Sequence, residues 1–448
     1  MNLVAYSMRT KGIAAFSRRL WTVFTRFGLS EGRTRRSLVS MVDALRPYQA
    51  APTFFIPASV LERSPSLIRR IQRAGAEIGI HGYVHNDYRT LSKDAQARQT
   101  RDAISVFDQA QVRYSGFRNP YLGWDERSLD VFRELGFTYD SNEAVLHDVL
   151  DVNDLAPVLA DSFERSLALF QAIPCTEYNL RPHMEEELLR IPISIPDDEM
   201  LFDRLRITDS RQLGDLWSEV MRRVFDAGGI YVLNLHPERG VLARGALDAL
   251  LRTSGQCALP VWVARLNDVA AWWRERAATS LQITDLGDGR WQVETCGSPR
   301  ATVLARHVVV AGAETAPWPG GDSLVASRAF SVAAPSYPGV ALSQRTTADV
   351  ERMLREQGYP TIRVALAEQA QTSVFLDQPE GLGTTRRERQ RTASALVRAV
   401  EQGATPLVRI GQWPDGRRAA LSITGDIDSV TIQDFFLRIL EVRKFATA

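Results

Sequence analysis

The chain has 448 residues, of which 45% are hydrophobic and 24% are charged, and 54 Lys and Arg residues balance 53 Asp and Glu residues. A chain of this length exceeds one ordinary hydrophobic core, so two or three domains are expected. The balanced charge, with no long block of one sign, argues against nucleic acid as a partner. No apolar run approaches the roughly 18 residues of a membrane-spanning helix.

Three widely spaced cysteines show neither CxxC spacing nor a disulfide framework, which predicts reduced thiols in a reducing compartment. Arginines interrupt every candidate signal-peptide core in residues 1–28, so a cytoplasmic location is expected. Residues 12–28 mix aromatic side chains with arginines. This pattern predicts a helix packed on the protein's own core, and peripheral membrane contact through the same residues is the alternative.

The first half of the chain alternates short apolar runs with amphipathic helices. Ser64 and Pro65 have the types expected at a helix N-cap and first turn. This β-α-β rhythm predicts an α/β fold with parallel strands. The main predicted strands are 51–57, 77–80, 188–195 and 229–235, and the main predicted helices are 65–74, 93–110, 126–135, 213–227 and 265–275.

Polar residues capable of chemistry follow several of these strands: His81, Arg118, Asp198 and His236. In barrels of parallel strands the active site is built from the carboxyl ends of the strands. Two of the six histidines, His81 and His85, lie four residues apart. A helical turn after Ile80 would place both on one face, where they could share a metal ion. A surface loop that happens to hold two histidines is the alternative.

The pattern changes near residue 278. Alternating apolar and polar residues around Gly287-Asp288-Gly289 predict a β-hairpin, and more strands and two helices follow. Residues 279–412 are therefore predicted to form a smaller, β-rich α+β accessory domain. Residues 413–448 then contain one apolar strand, which ends near Asp426 and Asp428, and one helix.

Together these motifs resemble the polysaccharide deacetylase family, the NodB-homology carbohydrate esterases. His81-Gly-Tyr-Val-His85 is similar to the family's HxxxH metal motif, and Arg118-Asn-Pro-Tyr121 to its RxPY motif. Leu233-Asn-Leu-His236 resembles the late strand with the catalytic histidine, and Asp198 resembles the family's orienting acid more loosely. The resemblance covers roughly residues 50–275 and 415–448. It implies a distorted (β/α) barrel of the NodB type over residues 1–278 that hydrolyses N-acetyl groups of an acetylated carbohydrate.

The resemblance fails at the start of the chain. Family members open with a strand that ends in two acids, whereas the first strand-like segment, residues 2–9, has none. The missing motif resembles Ser422-Ile-Thr-Gly-Asp-Ile-Asp428 instead. Circular permutation, a second truncated domain and an inactive pseudoenzyme all explain this displacement. Permutation is favoured because a domain truncated after one strand and one helix could not bury that strand, so residues 413–448 are expected to complete the barrel.

The resemblance also implies a role for each site residue. Asp428, His81 and His85 would bind one divalent metal, usually zinc, with Co²⁺ or Ni²⁺ as alternatives. Asp426 would be the general base, held by Arg118, and the backbone N–H of Tyr121 would stabilise the oxyanion. His236 would protonate the leaving amine, with Asp198 raising its pKa. A carbohydrate-binding protein without activity, and a C–N hydrolase acting on a small non-sugar amide, are the alternative functions.

Overall fold

The computed structural model describes residues 26–365 and 373–445. The predicted strand-like segment 2–9 and most of the predicted amphipathic segment 12–28 lie outside the described residues. Across the part of the chain that is described, no helix has the length and apolar character needed to cross a membrane. The three cysteines are unpaired, in agreement with their spacing.

The first part of the described chain alternates helices and strands. The helices are α1 (Gly32–Leu45), α2 (Ala58–Arg63), α3 (Pro65–Arg73), α4 (Lys93–Gln109), α5 (Glu126–Glu134), α6 (Pro157–Phe170), α7 (Ser210–Ala227), α8 (Arg244–Gly255) and α9 (Leu266–Ala277). The strands are β1 (Thr53–Ile56), β2 (Glu77–Ile80), β3 (Gly116–Phe117), β4 (Tyr139–Asp140), β5 (Ala144–Leu146), β6 (Ile173–Pro174), β7 (His183–Glu185), β8 (Leu188–Arg190), β9 (Ile193–Ile195), β10 (Ile230–Asn234) and β11 (Val261–Val263).

The second part is richer in strands. Its elements are β12 (Ser280–Gly287), β13 (Arg290–Cys296), β14 (Val303–Arg306), β15 (Val309–Ala311), β16 (Thr315–Trp318), β17 (Asp322–Val325), β18 (Ala329–Ala333), β19 (Val340–Ser343), α10 (Ala348–Glu356), β20 (Thr361–Val364), β21 (Val374–Leu376), α11 (Arg386–Gln402), β22 (Leu407–Ile410), β23 (Ala419–Asp426) and α12 (Ile432–Phe445). Strands β12 and β13 form the hairpin that the Gly-Asp-Gly turn predicts.

The main sheet has the strand order β10-β23-β1-β2-β3-β4-β8-β7, with β11 also paired to β23. These pairs are parallel except β7 with β8. The predicted α/β fold class is thus confirmed, and the main sheet is curled into a half-barrel. Strand β23, near the end of the chain, lies between β1 and β10 and is buried throughout. Gly425 permits this packing because a Cβ there would lie 2.4 Å from the Leu235 carbonyl oxygen.

One local prediction was wrong. Residues 188–195 form two strands in different sheets, β8 in the main sheet and β9 beside β5, rather than one strand. Pro192 separates them because it has no N–H to donate to a continuous ladder. The start of α3 is as predicted, with Ser64 at the N-cap and Pro65 as the first helical residue, although the Ser64 side chain makes no capping hydrogen bond.

Residues 280–410 have hydrophobic clusters apart from the main core. One cluster includes Val340, Leu354 and Tyr359, and another includes Val293 and Phe330. Their strands form two four-stranded sheets and one three-stranded sheet. The boundaries at 278/279 and 412/413 stay predictions.

The two ends of the described chain lie side by side. Gly28 forms a parallel bridge with Thr431, and the Ile432 N–H donates to the Gly28 carbonyl over 3.1 Å. The rings of Phe27 and Phe435 have centroids 5.5 Å apart. The entry to α1 therefore packs on the entry to α12.

A buried carboxylate fastens the amino-terminal end of the sheet. Glu77 Oε2 accepts from the Thr53 hydroxyl at 2.8 Å and the Asn267 N–H at 2.9 Å, and Oε1 accepts from Ser115 and Tyr139. Burial raises the pKa of Glu77, although these donors oppose the shift. In Glu77→Gln the amide NH₂ would face groups that need an acceptor. We expect the free energy of unfolding to fall by about 1–3 kcal/mol, measured by urea denaturation.

Glu294→Gln is the matched control, because Glu294 is exposed on β13. Its unfolding free energy should stay within about 0.5 kcal/mol of the wild-type value. Equal stability of the Glu77 and Glu294 variants would contradict the assigned role of Glu77.

Candidate active site

His81 and His85 lie on a loop that follows β2. Gly82 has a φ of +79°, which leaves the helical region, so the predicted helical turn is wrong. The loop is held instead by α2, whose Ala58 N–H donates to the Gly82 carbonyl over 2.9 Å. The two imidazole rings nevertheless face a common point, with centroids 5.3 Å apart.

Asp428 joins the two histidines. Its Oδ1 lies 3.5 Å from His81 Nε2, and its Oδ2 lies 3.3 Å from His85 Nε2. His81 Nδ1 lies 2.7 Å from the Arg118 carbonyl oxygen, which can only accept, so in the neutral ring Nδ1 carries the proton and Nε2 offers its lone pair. Among the described residues, no partner donates a hydrogen bond to the buried Oδ1 of Asp428.

The charges in this group suit a divalent cation. Burial lowers the pKa of His85 to about 3, so its ring is neutral and able to bind metal. Burial would raise the pKa of Asp428, but the neighbouring His85, Arg438 and His81 hold it well below its usual range. Since His85 is neutral, we assign most of this effect to Arg438, whose Nη1 donates to Asp428 Oδ2 over 2.7 Å. Two imidazoles and one carboxylate are a donor set that fits catalytic zinc.

Arg118 organises the second part of the site. Its fully buried guanidinium donates through Nη1 to Asn234 Oδ1 and Thr424 Oγ1, both at 2.9 Å, and to Asp426 Oδ1 at 3.1 Å. Nε and Nη2 donate to the carbonyl and hydroxyl oxygens of Ser141. Sequence reasoning missed Asn234, Thr424 and Ser141. The available signal for Asn234 and Ser141 was their position at or directly after a strand end, the same signal that indicated Arg118, whereas Thr424 lies two residues before the end of β23.

Asp426, the last residue of β23, is ionised. Burial alone would raise its pKa, but the Arg118 guanidinium and neighbouring imidazoles lower the pKa below its ordinary value. Its Oδ2 also accepts from Asn234 Nδ2 at 3.1 Å. The carboxylate is therefore fixed in position and able to accept a proton.

His236 and Asp198 form a close pair. Nδ1 of His236 lies 2.6 Å from Asp198 Oδ1, and the His236 backbone N–H donates to Oδ2 over 2.8 Å. Burial would lower the pKa of His236, but the Asp198 carboxylate raises it well above its usual value. Asp197 accepts from the Met200 N–H instead, and burial beside Asp198 raises the pKa of Asp197 to about 7. Of the two adjacent acids, Asp198 is the partner of His236.

Tyr121 lies against His85, with the two ring centroids 4.5 Å apart in an edge-on arrangement. Its backbone has a φ of 59°, an unusual value for a tyrosine. Tyr121 is 45% exposed. Tyr88 and Trp124 are buried and pack within the protein.

Residues 32–139 match the protein-family model described as polysaccharide deacetylase. This match supports a polysaccharide deacetylase domain in the chain. It includes His81, His85, Arg118 and Tyr121, whereas Asp198, His236, Asp426 and Asp428 lie beyond it. The structure brings these two sets of residues together.

Comparisons with individual proteins are more distant. The peptidoglycan deacetylase-like protein FGM2 of Gibberella zeae is 32% identical over 91 residues, which are 20% of this chain and 27% of that protein. The chain covers 27% and 41% of the lengths of two curated relatives. A Mycobacterium smegmatis structure, provisionally described as a polysaccharide deacetylase, is 21% identical, with 60% of this chain and 83% of that chain covered and a TM-score of 0.42.

A family pseudoenzyme from Bacillus anthracis is 14% identical, with 53% of this chain and 62% of that chain covered and a TM-score of 0.32. Because both TM-scores lie below 0.5, the fold assignment depends on this chain's own strand order. Any assignment of function likewise depends on the residues of this chain's own site.

Proposed function

We propose that the protein is a metal-dependent hydrolase that removes N-acetyl groups from a carbohydrate. The observation that carries this proposal is the position of the Asp428 carboxylate, 3.5 and 3.3 Å from the Nε2 atoms of His81 and His85. Asp426 and His236, both predicted to move protons, lie in the same group of strand ends. The family match of residues 32–139 supports the same reaction class.

His81, His85 and Asp428 would hold a divalent ion such as zinc, cobalt or nickel, which supplies an activated water and polarises the amide carbonyl when bound. Asp426 takes the proton from the attacking water as general base. Arg118 keeps Asp426 ionised and oriented through the 3.1 Å hydrogen bond.

His236 completes the reaction as general acid. Its imidazolium, maintained by Asp198, gives a proton to the amine that leaves when the C–N bond breaks. The backbone N–H of Tyr121 donates to the oxyanion of the tetrahedral intermediate. A donor of this kind typically lowers the barrier by about 3 kcal/mol.

The displaced acidic motif is best explained by circular permutation. Strand β23, which carries Asp426 and leads to Asp428, lies next to β1 in the sheet. The entry to α12 lies beside the entry to α1. In this proposal residues 279–412 are an accessory domain placed between α9 and β23. A cytoplasmic substrate, such as a glycan precursor, remains part of the proposal.

Acetate release from a panel of substrates tests the proposed activity. The panel contains N-acetylated oligosaccharides, sugar nucleotides and cyclic amides, each assayed with zinc-loaded protein and after treatment with a chelator. Metal-dependent acetate release from the acetylated sugars is expected. Opening of cyclic amides alone would favour the small-amide hydrolase. No reaction with any substrate, despite bound metal, would indicate a binding protein without activity.

The pH profile should depend on Asp198. In Asp198→Asn the carboxylate that raises the pKa of His236 is removed, so burial dominates and His236 loses its proton at lower pH. The alkaline limb of kcat/KM should therefore move to lower pH. Asp215→Asn, at an exposed position on α7, is the control and should leave the profile unchanged. An unshifted alkaline limb in Asp198→Asn would contradict the role of His236 as general acid.

A further inference from the structure

Four consecutive polar residues are buried at the end of β4 in the main sheet: Asp140, which is the last residue of the strand, and then Ser141, Asn142 and Glu143. We call residues 140–143 the polar bridge. Buried polar side chains require specific partners, and each member of the polar bridge has one. These partners lie on two different parts of the molecule, so the polar bridge connects them.

On one side the polar bridge holds the segment that contains Arg118. Ser141 accepts from Arg118 through its carbonyl at 3.1 Å and its hydroxyl at 3.0 Å. The Asn119 N–H donates to Asn142 Oδ1 over 2.7 Å. Asn142 is oriented in turn by Asp140, whose Oδ2 accepts from its amide over 2.8 Å.

On the other side the polar bridge holds the first residue of α11. Arg386 Nε donates to Glu143 Oε1 over 2.7 Å, although 243 residues separate them in sequence. The guanidiniums of Arg386 and Arg190 lie over the indole ring of Trp124, 4.7 and 4.0 Å from its centroid. Trp124 follows Tyr121 by only three residues, so α11 contacts the Arg118 segment a second time.

The charge of Glu143 makes the contact with Arg386 important. Burial would raise the pKa of Glu143, but Arg386 and Arg190 hold it far below its usual range. Without Arg386, the buried negative charge of Glu143 would lose one of the two arginines that offset it. A poorly offset buried charge costs free energy, so the polar bridge should rearrange. The hydrogen bonds to Arg118 and Asn119 are made by the same four residues, so they should be disturbed when the polar bridge rearranges.

We propose that Arg386 is a positioning residue, through which helix α11 sets the geometry of the Arg118–Tyr121 segment by way of the polar bridge and Trp124. The region between α9 and β23 then contributes to the reaction through α11. The kinetic part of this inference rests on the proposed function, whereas the structural part does not.

Hydrogen exchange and kinetics of the full chain test the inference. In Arg386→Gln the backbone amides of residues 118–124 should exchange about tenfold faster, because the segment opens locally more often. Release of acetate should show a kcat lower by about ten- to hundredfold with a smaller change in KM. Arg391→Gln is the matched control, since Arg391 lies on the same helix and pairs with Glu177 at the surface. It should match wild type in both measurements.

Arg386→Lys separates positioning from charge alone. A lysine restores a cation beside Glu143 but not the planar group over Trp124, so partial recovery of kcat and exchange is expected. If Arg386→Gln does not fold, Glu143→Gln is measured in its place, because it removes the same ion pair between Glu143 and Arg386. Unchanged exchange over residues 118–124 in a folded Arg386→Gln variant would overturn the proposal. If wild type releases no acetate while the exchange difference persists, the proposed function fails and the structural role of Arg386 stands.

Discussion

Asp426→Asn is expected to lower kcat for amide hydrolysis by about 10²–10⁴-fold, because an amide cannot accept the proton of the attacking water. Asn has nearly the same shape, and its oxygen can still accept from Arg118. Zinc affinity should stay within about tenfold of wild type, because the proposed ligands are His81, His85 and Asp428. Steady-state kinetics and zinc titration of the same preparation check both expectations.

The control for this variant is Asp415→Asn, which makes the same chemical change at a largely exposed carboxylate paired with Arg300 and Arg417. Its kcat and zinc affinity should equal those of wild type. Full activity in Asp426→Asn would rule out Asp426 as the base. Loss of zinc together with activity would instead assign Asp426 to metal binding.

Removal of residues 416–448 is expected to prevent cooperative folding altogether. The deletion takes out β23, which pairs with β1, β10 and β11 and whose eight residues are all buried. The remaining strands would expose unpaired backbone groups and part of the main core. The loss should exceed the roughly 5–15 kcal/mol by which proteins of ordinary stability are folded. Circular dichroism and thermal unfolding would show this directly.

A rearranged chain is the matched control for the deletion. Residues 416–445 can be placed ahead of residue 26 through a Gly/Ser linker of about 20 residues, which spans the length of α12. Because Gly28 already pairs with Thr431, this chain should fold with a thermal midpoint near that of wild type. A cooperative fold in the deleted chain, or an unfolded rearranged chain, would contradict the assigned position of β23.

The strand-end pattern of the sequence predicted much of the candidate site, because each strand end is a local feature. His81, Arg118 and His236 all follow short apolar runs that form parallel strands. The pairing of those ends is not local. Arg118 and Thr424 are 306 residues apart and still form a 2.9 Å hydrogen bond, which no sequence spacing could indicate.

Other features were missed for identifiable reasons. The HxxxH spacing suits a helix, but Gly82 adopts a positive φ and the contacts of α2 favour a loop. Asp197 and Asp198 are equivalent by position, and only the packing around His236 distinguishes them. Pro192 is the residue that indicates the break between β8 and β9, because a proline cannot donate to a strand ladder.

Anomalous scattering from crystals grown with zinc is the most direct test of the proposed metal site. We predict a single strong peak at the zinc edge, about 2.0–2.3 Å from His81 Nε2, His85 Nε2 and a carboxylate oxygen of Asp428. The peak should disappear in Asp428→Asn crystals soaked in the same solution. A peak at Asp197, Asp198 and His236 instead, or no peak between the two histidines at saturating zinc, would contradict the proposed site.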